Sequence, residues 1–282
     1  MNFEHSEDRR MLADSLNRFV SEQFTTEQRN TVAYGAAGHS PQLYAQLADI
    51  GAIGALFPES VGGLGGAGFD ISLVFECLGR GLLTEPLLGA LLVGQGLVLA
   101  GNAAQQALLP DIIDGKLLAA FAHDEPGSHY ERSNVSTQAD KSTNGWVLNG
   151  AKGVVSFGEQ AQWLLVSARV SGEQFDEQGI ALFLVPGDAK GLSWRSYQRF
   201  DGGRASELKL DNVPLGEGAL LGTTTDGFAV LGRIFDYALL ALASETIAAM
   251  EVAKQFTVGC PQTRKRSGVP SGSSPALQHR LP

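Results

Sequence analysis

The hydrophobic periodicity of this chain changes twice, and these changes limit the folds that it can adopt. From Glu7 to Gly115 apolar residues recur every three or four positions, as amphipathic helices require. From Leu117 to about Leu221 they form short runs separated by Asn-Gly and other turn signals, which is typical of β-strands. From Gly227 to Phe256 the helical spacing returns. The sequence therefore predicts an α+β fold with several domains.

The same changes place the expected domain boundaries. We predict an N-terminal all-α domain over residues 1–116, a middle β-sandwich or barrel over residues 117–222, and a truncated C-terminal helical domain over residues 223–282. Ser40 before Pro41 is a typical helix start. Gly259 and Pro261 predict that the last helix ends near Phe256, because glycine and proline cost about 1 and 3 kcal/mol inside a helix.

The composition is that of an ordered, acidic protein. Hydrophobic residues make up 44% of the chain and the net charge is -9, which argues against a nucleic-acid partner, since phosphate binding needs clustered cations. The polar N-terminus lacks a signal-peptide pattern and the two cysteines make no disulfide framework, so we expect a cytoplasmic protein. The most apolar run, Pro86 to Ala100, is too short to cross a bilayer, and we expect no membrane span.

A glycine pattern raises the alternative of a dinucleotide-binding site. Gly63, Gly65 and Gly68 match G-x-G-x-x-G, and a helical pattern follows them. Pro58 separates these glycines from the preceding apolar residues, however, and no alternation of strands and helices surrounds them. A flexible glycine loop is therefore the preferred interpretation.

A group of polar residues raises the alternative of a metal site. His123, Asp124, Glu125, His129 and Glu131 include types that bind metals. Metal sites need ligands at characteristic spacings that converge on one point. This loop has no such spacing, and we expect no metal.

Two further segments of the predicted β domain carry motifs of a known family. The first strand runs into Asp124-Glu125-Pro126, and a later strand ends at Val154-Val155-Ser156. They resemble the T-E-P loop and the W-I-T strand end of the acyl-CoA dehydrogenase family. Residues 56–70, 202–214 and 262–280 are similar to other motifs of that family, in the same order. The resemblance implies a flavin-dependent enzyme that removes two hydrogens from an acyl-CoA thioester.

The resemblance also implies where FAD would bind. The flavin ring would lie against the first loop and the later strand end, with the Ser156 hydroxyl near N5 and an arginine on the flavin pyrophosphate of a neighbouring subunit. The residues so implied are Phe121, His123, Asp124, Val154, Val155, Ser156 and Arg264. Asp124 departs from the family, which has threonine there, because an ionised carboxylate only accepts hydrogen bonds.

Substrate contacts are implied at two positions. Ser133 resembles the serine of the family's G-S-D motif, and Asp236 the aspartate of a D-x-x-R element. The arginine of that element is replaced by Leu239. Recognition of the pantetheine side of the substrate is therefore expected to differ from that of the family.

The catalytic base has no counterpart in this chain. In most relatives it is a glutamate on later helices, and in some it stands at the position of Ala238. Asp236 points away from that position on a helix, and Glu245 lies two turns, about 10 Å, further along. We expect no base within these 282 residues.

Three functions remain open from the sequence. The first is an acyl-CoA dehydrogenase whose base comes from elsewhere in a longer chain or from a partner. The second is a non-catalytic flavin-binding subunit, or inactive fragment, of a heteromeric acyl-CoA dehydrogenase. The third is an oxidase or monooxygenase of the same architecture. The partners implied are an acyl-CoA, an electron-transfer flavoprotein, and further copies or unlike chains in an oligomer.

Overall fold

The computed structural model describes residues 5–266, 269, 270 and 275. Seven helices precede a mixed β-sheet in the described chain, and a long helix follows it. The predicted class, a helical N-terminal part, a β middle part and a short C-terminal helical part, is confirmed. The helices are α1 (Glu7–Gln23), α2 (Thr26–Ala33), α3 (Pro41–Ile50), α4 (Gly68–Gly79), α5 (Leu87–Ala100), α6 (Ala103–Gln106), α7 (Leu109–Ile113) and α8 (Gly227–Thr263).

Local sequence signals explain where α3 begins and ends. The Ser40 hydroxyl accepts a hydrogen bond from the Leu43 amide at 3.3 Å, as an N-cap does, and Pro41 occupies the first turn. Gly51 ends the helix with φ 93°, a conformation that costs glycine little. The predicted start of this helix is thus confirmed.

The β-sheet has eight strands, and neighbouring strands pair mostly antiparallel. Its order is β6-β7-β3-β2-β4-β5-β8, with β1 parallel to β4. The strands are β1 (Ala119–Ala122), β2 (Gln138–Ser142), β3 (Gly145–Ser156), β4 (Trp163–Arg169), β5 (Ile180–Pro186), β6 (Leu192–Gln198), β7 (Arg204–Gly216) and β8 (Leu220–Leu221). A separate two-residue pair, β9 (Lys265–Arg266) and β10 (Val269–Pro270), follows α8.

Two hydrophobic cores lie on opposite faces of the central strands. Along β5, Leu182 and Leu184 belong to the core shared with the helices, whereas Phe183 and Val185 belong to the core inside the β domain. This division follows from the two-residue period of a strand. The sheet thereby fixes the helices against the β domain.

Strand β3 is irregular close to its end. Its pairing with β7 shifts register between Lys152 and Val155, and Val154 has φ 53°. A valine in this left-handed region is strained. The irregularity turns Val154 outward, where 60% of its surface is exposed, while Val155 is 1% exposed.

Helix α8 packs against α4, α5 and β5. Ile234 and Ala241 are buried in the helical core, and the Ser244 hydroxyl lies 2.8 Å from that of Ser72 on α4. The opposite face leaves large apolar side chains in solvent, which are Leu239, Leu242, Ile247, Met250 and Phe256. The described residues therefore cover only one side of this helix.

The expected end of this helix near Phe256 is wrong, because α8 continues to Thr263. The Thr263 hydroxyl donates to the Gly259 carbonyl at 3.1 Å, and the Arg264 amide donates to the Cys260 carbonyl at 2.9 Å. These hydrogen bonds continue the helical pattern beyond the glycine.

Helix α8 also has the length and composition that a membrane span would need. The stretch from Gly227 to Cys260 is 34 residues long with a mean hydropathy of 1.4. One such helix is weak evidence for a membrane protein, because the core helix of a soluble protein passes the same test. Within the described chain, no other helix meets these criteria.

The turn between β6 and β7 holds the β domain to the N-terminal helices. The Gly203 amide donates to the Ala33 carbonyl at 2.8 Å, and the Tyr34 hydroxyl donates to the Phe200 carbonyl at 3.2 Å. A Cβ on Gly202 would lie 2.6 Å from the Cβ of Ala33. The turn and the end of α2 therefore fit together at backbone distance.

Candidate functional site

The two segments expected to contact a flavin lie side by side. The loop that follows β1 contacts β3 through a hydrogen bond from the Gly153 amide to the Asp124 carbonyl, 2.8 Å long. This bond places Asp124 beside the irregular end of β3. The structure thus brings together two segments that are separate in the sequence, and this junction forms the candidate site.

A buried ion pair also joins the loop after β1 to β3. The Lys152 ammonium lies 2.7 Å from the Glu125 carboxylate, with side-chain exposures of 0% and 4%. Lys152 also donates to the His123 carbonyl at 3.1 Å and to the Ser167 hydroxyl at 3.0 Å. All three of its protons can therefore be used, as a buried ammonium requires.

The Glu125 carboxylate is equally well bonded. It accepts from the backbone amides of Ser136 at 2.8 Å and Thr137 at 3.0 Å, and from the Ser136 hydroxyl. Burial alone would raise the pKa of Glu125, but the Lys152 charge and these hydrogen bonds hold it at about 2. Burial lowers the pKa of Lys152, and Glu125 opposes that effect. The pair fixes the loop after β1 against β2 and β3.

His123 lies inside the site and is neutral. Its Nδ1 is 2.9 Å from the Ser167 hydroxyl, and its side chain is buried. Burial and the positive charge of Lys152 lower its pKa to about 3. The imidazole is stacked on Phe121, with ring centres 6.0 Å apart and planes at 17°. Its ring faces inward, so only its backbone is placed to contact a ligand at the surface.

The three residues at the end of β3 differ in what they present. Val154 is exposed, Val155 is buried in the β core, and Ser156 is half-buried. The Arg199 guanidinium lies 3.5 Å from the Ser156 hydroxyl, a distance too long for a strong hydrogen bond. The hydroxyl of Ser156 is therefore available to a ligand at this edge.

Asp124 is exposed at the rim of the junction. Burial by its neighbours raises its pKa, and the Lys152 charge opposes this rise. The carboxylate therefore lies at the edge of the candidate site.

Helix α8 covers the aromatic side of the site through Phe235. The Phe235 ring is 5.3 Å from that of His123 at 78°, and 6.0 Å from that of Phe121 at 77°. The guanidinium of Arg132 lies over Phe235, 5.6 Å from the ring centre. The loop that carries Arg132 therefore meets α8 at Phe235.

The expected substrate residues lie on these two elements. Ser133 follows Arg132 and is buried, and its hydroxyl donates to the Glu131 carboxylate at 3.1 Å. Asp236 follows Phe235 and is exposed on α8. Ala238 is 8% exposed within the helical core. The structure thus brings the two segments together, but the Ser133 side chain bonds within its own loop.

Two other charged residues of interest lie away from this junction. Glu245 is half-buried on α8, where burial raises its pKa, Arg199 opposes the rise and Asp201 adds to it. Arg264 is exposed and follows the last residue of α8. Neither has a hydrogen bond or ion pair that joins it to Phe121, His123 or Asp124 within the described chain.

The glycine pattern after Phe57 has a structural explanation. A Cβ on Gly63 would lie 2.1 Å from the Phe57 carbonyl oxygen, and one on Gly65 would lie 2.7 Å from the Asp70 carboxylate. A 3-10 turn, Glu59–Val61, precedes these glycines, where a dinucleotide site would need a strand. The loop therefore folds tightly on itself. Among the residues that the structure describes, no group of three metal-binding side chains converges.

Sequence reasoning missed several parts of the site. The family motif identifies Glu125, but it does not predict the pairing of Glu125 with Lys152. A lysine within a strand of largely buried residues was the available signal. The contacts of Ser167, Arg132 and Phe235 join distant segments and leave no local pattern.

Two family models match consecutive parts of the chain. Residues 6–116 match the family described as acyl-CoA dehydrogenase, N-terminal domain, and residues 120–213 match the acyl-CoA dehydrogenase middle domain. The probable acyl-CoA dehydrogenase YngJ of Bacillus subtilis is 26% identical over 100% of this chain and 75% of its own length. Acyl-CoA dehydrogenase FadE12 of Mycobacterium tuberculosis is 28% identical over 86% of this chain and 64% of its own length.

Solved structures are similar over almost the whole chain. A steroid acyl-CoA dehydrogenase described as the Tcur3481-Tcur3483 G363A variant has a TM-score of 0.86 and 29% identity, covering 98% of this chain and 72% of that one. The FAD complex of PigA has a TM-score of 0.90 at 20% identity, covering 100% and 75%, and so shows the fold alone. The matches to both domains, in order and with this fold, mean that the chain belongs to the acyl-CoA dehydrogenase family.

Proposed function

We propose that this chain binds FAD at the junction of the β1 loop and the end of β3, as part of a flavin-dependent acyl-CoA dehydrogenase. The observation that carries the proposal is the hydrogen bond between Gly153 and Asp124, which joins the two family motifs into one surface. The buried ion pair of Lys152 and Glu125 joins the same two segments beneath that surface. Preorganised polar surfaces of this kind are typical of cofactor sites.

The residues present fit a flat, partly polar ring. Exposed Val154 offers an apolar contact, and the Ser156 hydroxyl offers a donor that no strong hydrogen bond occupies. Phe121, His123, Asp124 and Val155 would contribute mainly through the backbone around them. Bound FAD would accept the hydride from the substrate at its N5 atom. Arg264 would serve the pyrophosphate of a neighbouring subunit's FAD, as the family resemblance implies.

The proton-removing half of the reaction has no assigned residue. Ala238 supplies no carboxylate, so a dehydrogenase reaction requires a base from outside the described residues. A non-catalytic flavin-binding subunit, or an inactive fragment of a heteromeric enzyme, is the second proposal. It is favoured by Ala238 and by a solved complex of two unlike chains, ChsE4-ChsE5 of Mycobacterium tuberculosis, with a TM-score of 0.86.

Further proposals concern the substrate, the electron acceptor, the cellular location and the oligomeric state. We expect an acyl-CoA as substrate, an electron-transfer flavoprotein as electron acceptor, and a cytoplasmic location. A homo- or hetero-oligomer would cover the apolar side chains that α8 exposes. Sedimentation analysis of the purified chain tests the last of these.

Flavin absorbance separates the two functional proposals. We expect the purified chain, reconstituted with FAD, to show bound flavin, and anaerobic acyl-CoA to bleach it only if a base is present. Bound flavin without bleaching would support the non-catalytic subunit. Failure to bind FAD at all would contradict both.

Removing the charge at Asp124 should raise the reduction potential of bound FAD. Reduction adds negative charge to the flavin, and a nearby carboxylate opposes this, so we expect Asp124→Asn to raise the midpoint potential by on the order of 20–40 mV. The difference should shrink as the pH falls through the raised pKa of Asp124. Spectroelectrochemical titration measures it, with exposed Asp140→Asn as the control. An unchanged potential would place Asp124 away from the ring.

A further inference from the structure

The clearest unassigned group at this site is the guanidinium of Arg132. It is exposed, yet it is held over the Phe235 ring at 5.6 Å. Stacking on an aromatic face restricts a long side chain and leaves the hydrogen-bond donors at the edge of the guanidinium free. The Phe235 ring therefore holds the Arg132 side chain in place, while the guanidinium donors remain open to a ligand.

The charges around Arg132 leave it without an ionic partner. The neighbouring Glu131 carboxylate accepts from the hydroxyl of Ser133 at 3.1 Å. Among the described residues, no carboxylate lies within ion-pair distance of Arg132. Burial and the Lys152 charge dominate the lowered pKa of His123, and the charge of Arg132 adds to them.

On the opposing helix, the position of the family's arginine is occupied by Leu239, although Arg233 lies three residues before Asp236. Asp236 is exposed beside Phe235, and Leu239, one turn later, is 64% exposed. A polyanionic ligand entering between the loop and α8 would meet the Asp236 carboxylate. Arg132 supplies a positive charge from the opposing loop, next to Phe235.

We propose that Arg132 binds a phosphate group of the acyl-CoA substrate, as a cation that the loop supplies opposite a helix with Leu239 in place of the family's arginine. The inference rests on the proposed function and names a recognition residue for the same site. A guanidinium suits this task because its planar fork donates two parallel hydrogen bonds to phosphate oxygens. The Phe235 platform holds the fork in place before the ligand arrives, which reduces the entropy lost on binding.

Calorimetric titration with CoA, 3′-dephospho-CoA and pantetheine tests the proposal without requiring turnover. We expect Arg132→Gln to weaken CoA binding by about 10- to 100-fold, the range for a hydrogen bond to a charged group. Pantetheine carries neither the pyrophosphate nor the 3′-phosphate of CoA. It should therefore bind the variant and the parent chain alike. Arg132→Lys should retain part of the CoA affinity, because it keeps the charge and loses the fork.

Exposed Arg18→Gln on α1 is the matched control and should leave CoA binding unchanged. Equal weakening for CoA and pantetheine, or no weakening of CoA, would overturn the proposal. Loss of FAD from Arg132→Gln with unchanged CoA affinity would assign the charge to the flavin pyrophosphate instead, and would overturn it as well. Flavin absorbance of the parent chain tests the proposed function separately, since the titrations can be made with or without FAD.

Discussion

Replacing Lys152 by methionine will lower the free energy of unfolding by about 3–5 kcal/mol, the range for breaking a buried ion pair from one side. The substitution leaves the Glu125 carboxylate buried at 4% exposure with only the donors of Ser136 and Thr137. It also removes donors from the His123 carbonyl and the Ser167 hydroxyl. Urea unfolding followed by tryptophan fluorescence measures the loss.

Two comparisons show that burial is the cause. The ion pair between Lys141 and Glu217 is exposed by 53% and 63%, so Lys141→Met should cost no more than about 1 kcal/mol. The double change Lys152→Met with Glu125→Leu should be less destabilising than Lys152→Met alone, because no charge remains buried. A similar loss for Lys152→Met and Lys141→Met would contradict the structure.

Replacing Glu85 by glutamine will stabilise the protein at neutral pH. Glu85 is 7% exposed and accepts from the Ser40 amide at 3.1 Å. Burial raises its pKa from 4.5 to about 8, and that hydrogen bond only partly opposes the rise. Glutamine keeps an acceptor for the Ser40 amide and carries no charge, so it removes the cost of burying a carboxylate.

The pH dependence of this effect has a definite sign. Between pH 4.5 and about pH 8 the unfolded chain releases the Glu85 proton while the folded chain retains it, so the folded state loses about 1.4 kcal/mol for each pH unit. The advantage of Glu85→Gln should therefore be absent at pH 4 and reach about 3 kcal/mol at pH 7.

Thermal unfolding between pH 4 and pH 8 measures that difference. Exposed Glu76→Gln on α4 is the control and should show little pH dependence. A melting-temperature difference that is constant with pH would contradict a raised pKa at Glu85.

The sequence predicts the elements of this fold better than their contacts. Helix α3 could be placed from Ser40 and Pro41 because capping depends on neighbours in the chain. Strands could be expected in the middle domain because short apolar runs there are separated by turn signals. The length of α8 could not, since propensity alone treats Gly259 and Pro261 as a stop, whereas the helical hydrogen bonds continue to Arg264.

The candidate site was less predictable for a physical reason. Residues such as Asp124 and Ser156 were found through family motifs, whose order survives in the sequence. The direction of a side chain depends on backbone geometry, so nothing in the sequence indicated that Val155 and His123 point inward. Phe235 and Arg132 meet across about a hundred residues, and a pattern in one segment carries no information on such a pair.

The turn between β6 and β7 has a consequence for how this protein can vary. Hairpin tips usually tolerate inserted residues or whole inserted domains, and the Phe200 side chain is fully exposed. Here the tip packs directly against the end of α2, where a side chain at position 202 would clash with Ala33. A library of random insertions should therefore be depleted at residues 199–204 as strongly as in a buried strand. Relatives aligned to this chain should keep the length of this loop even where its residues differ.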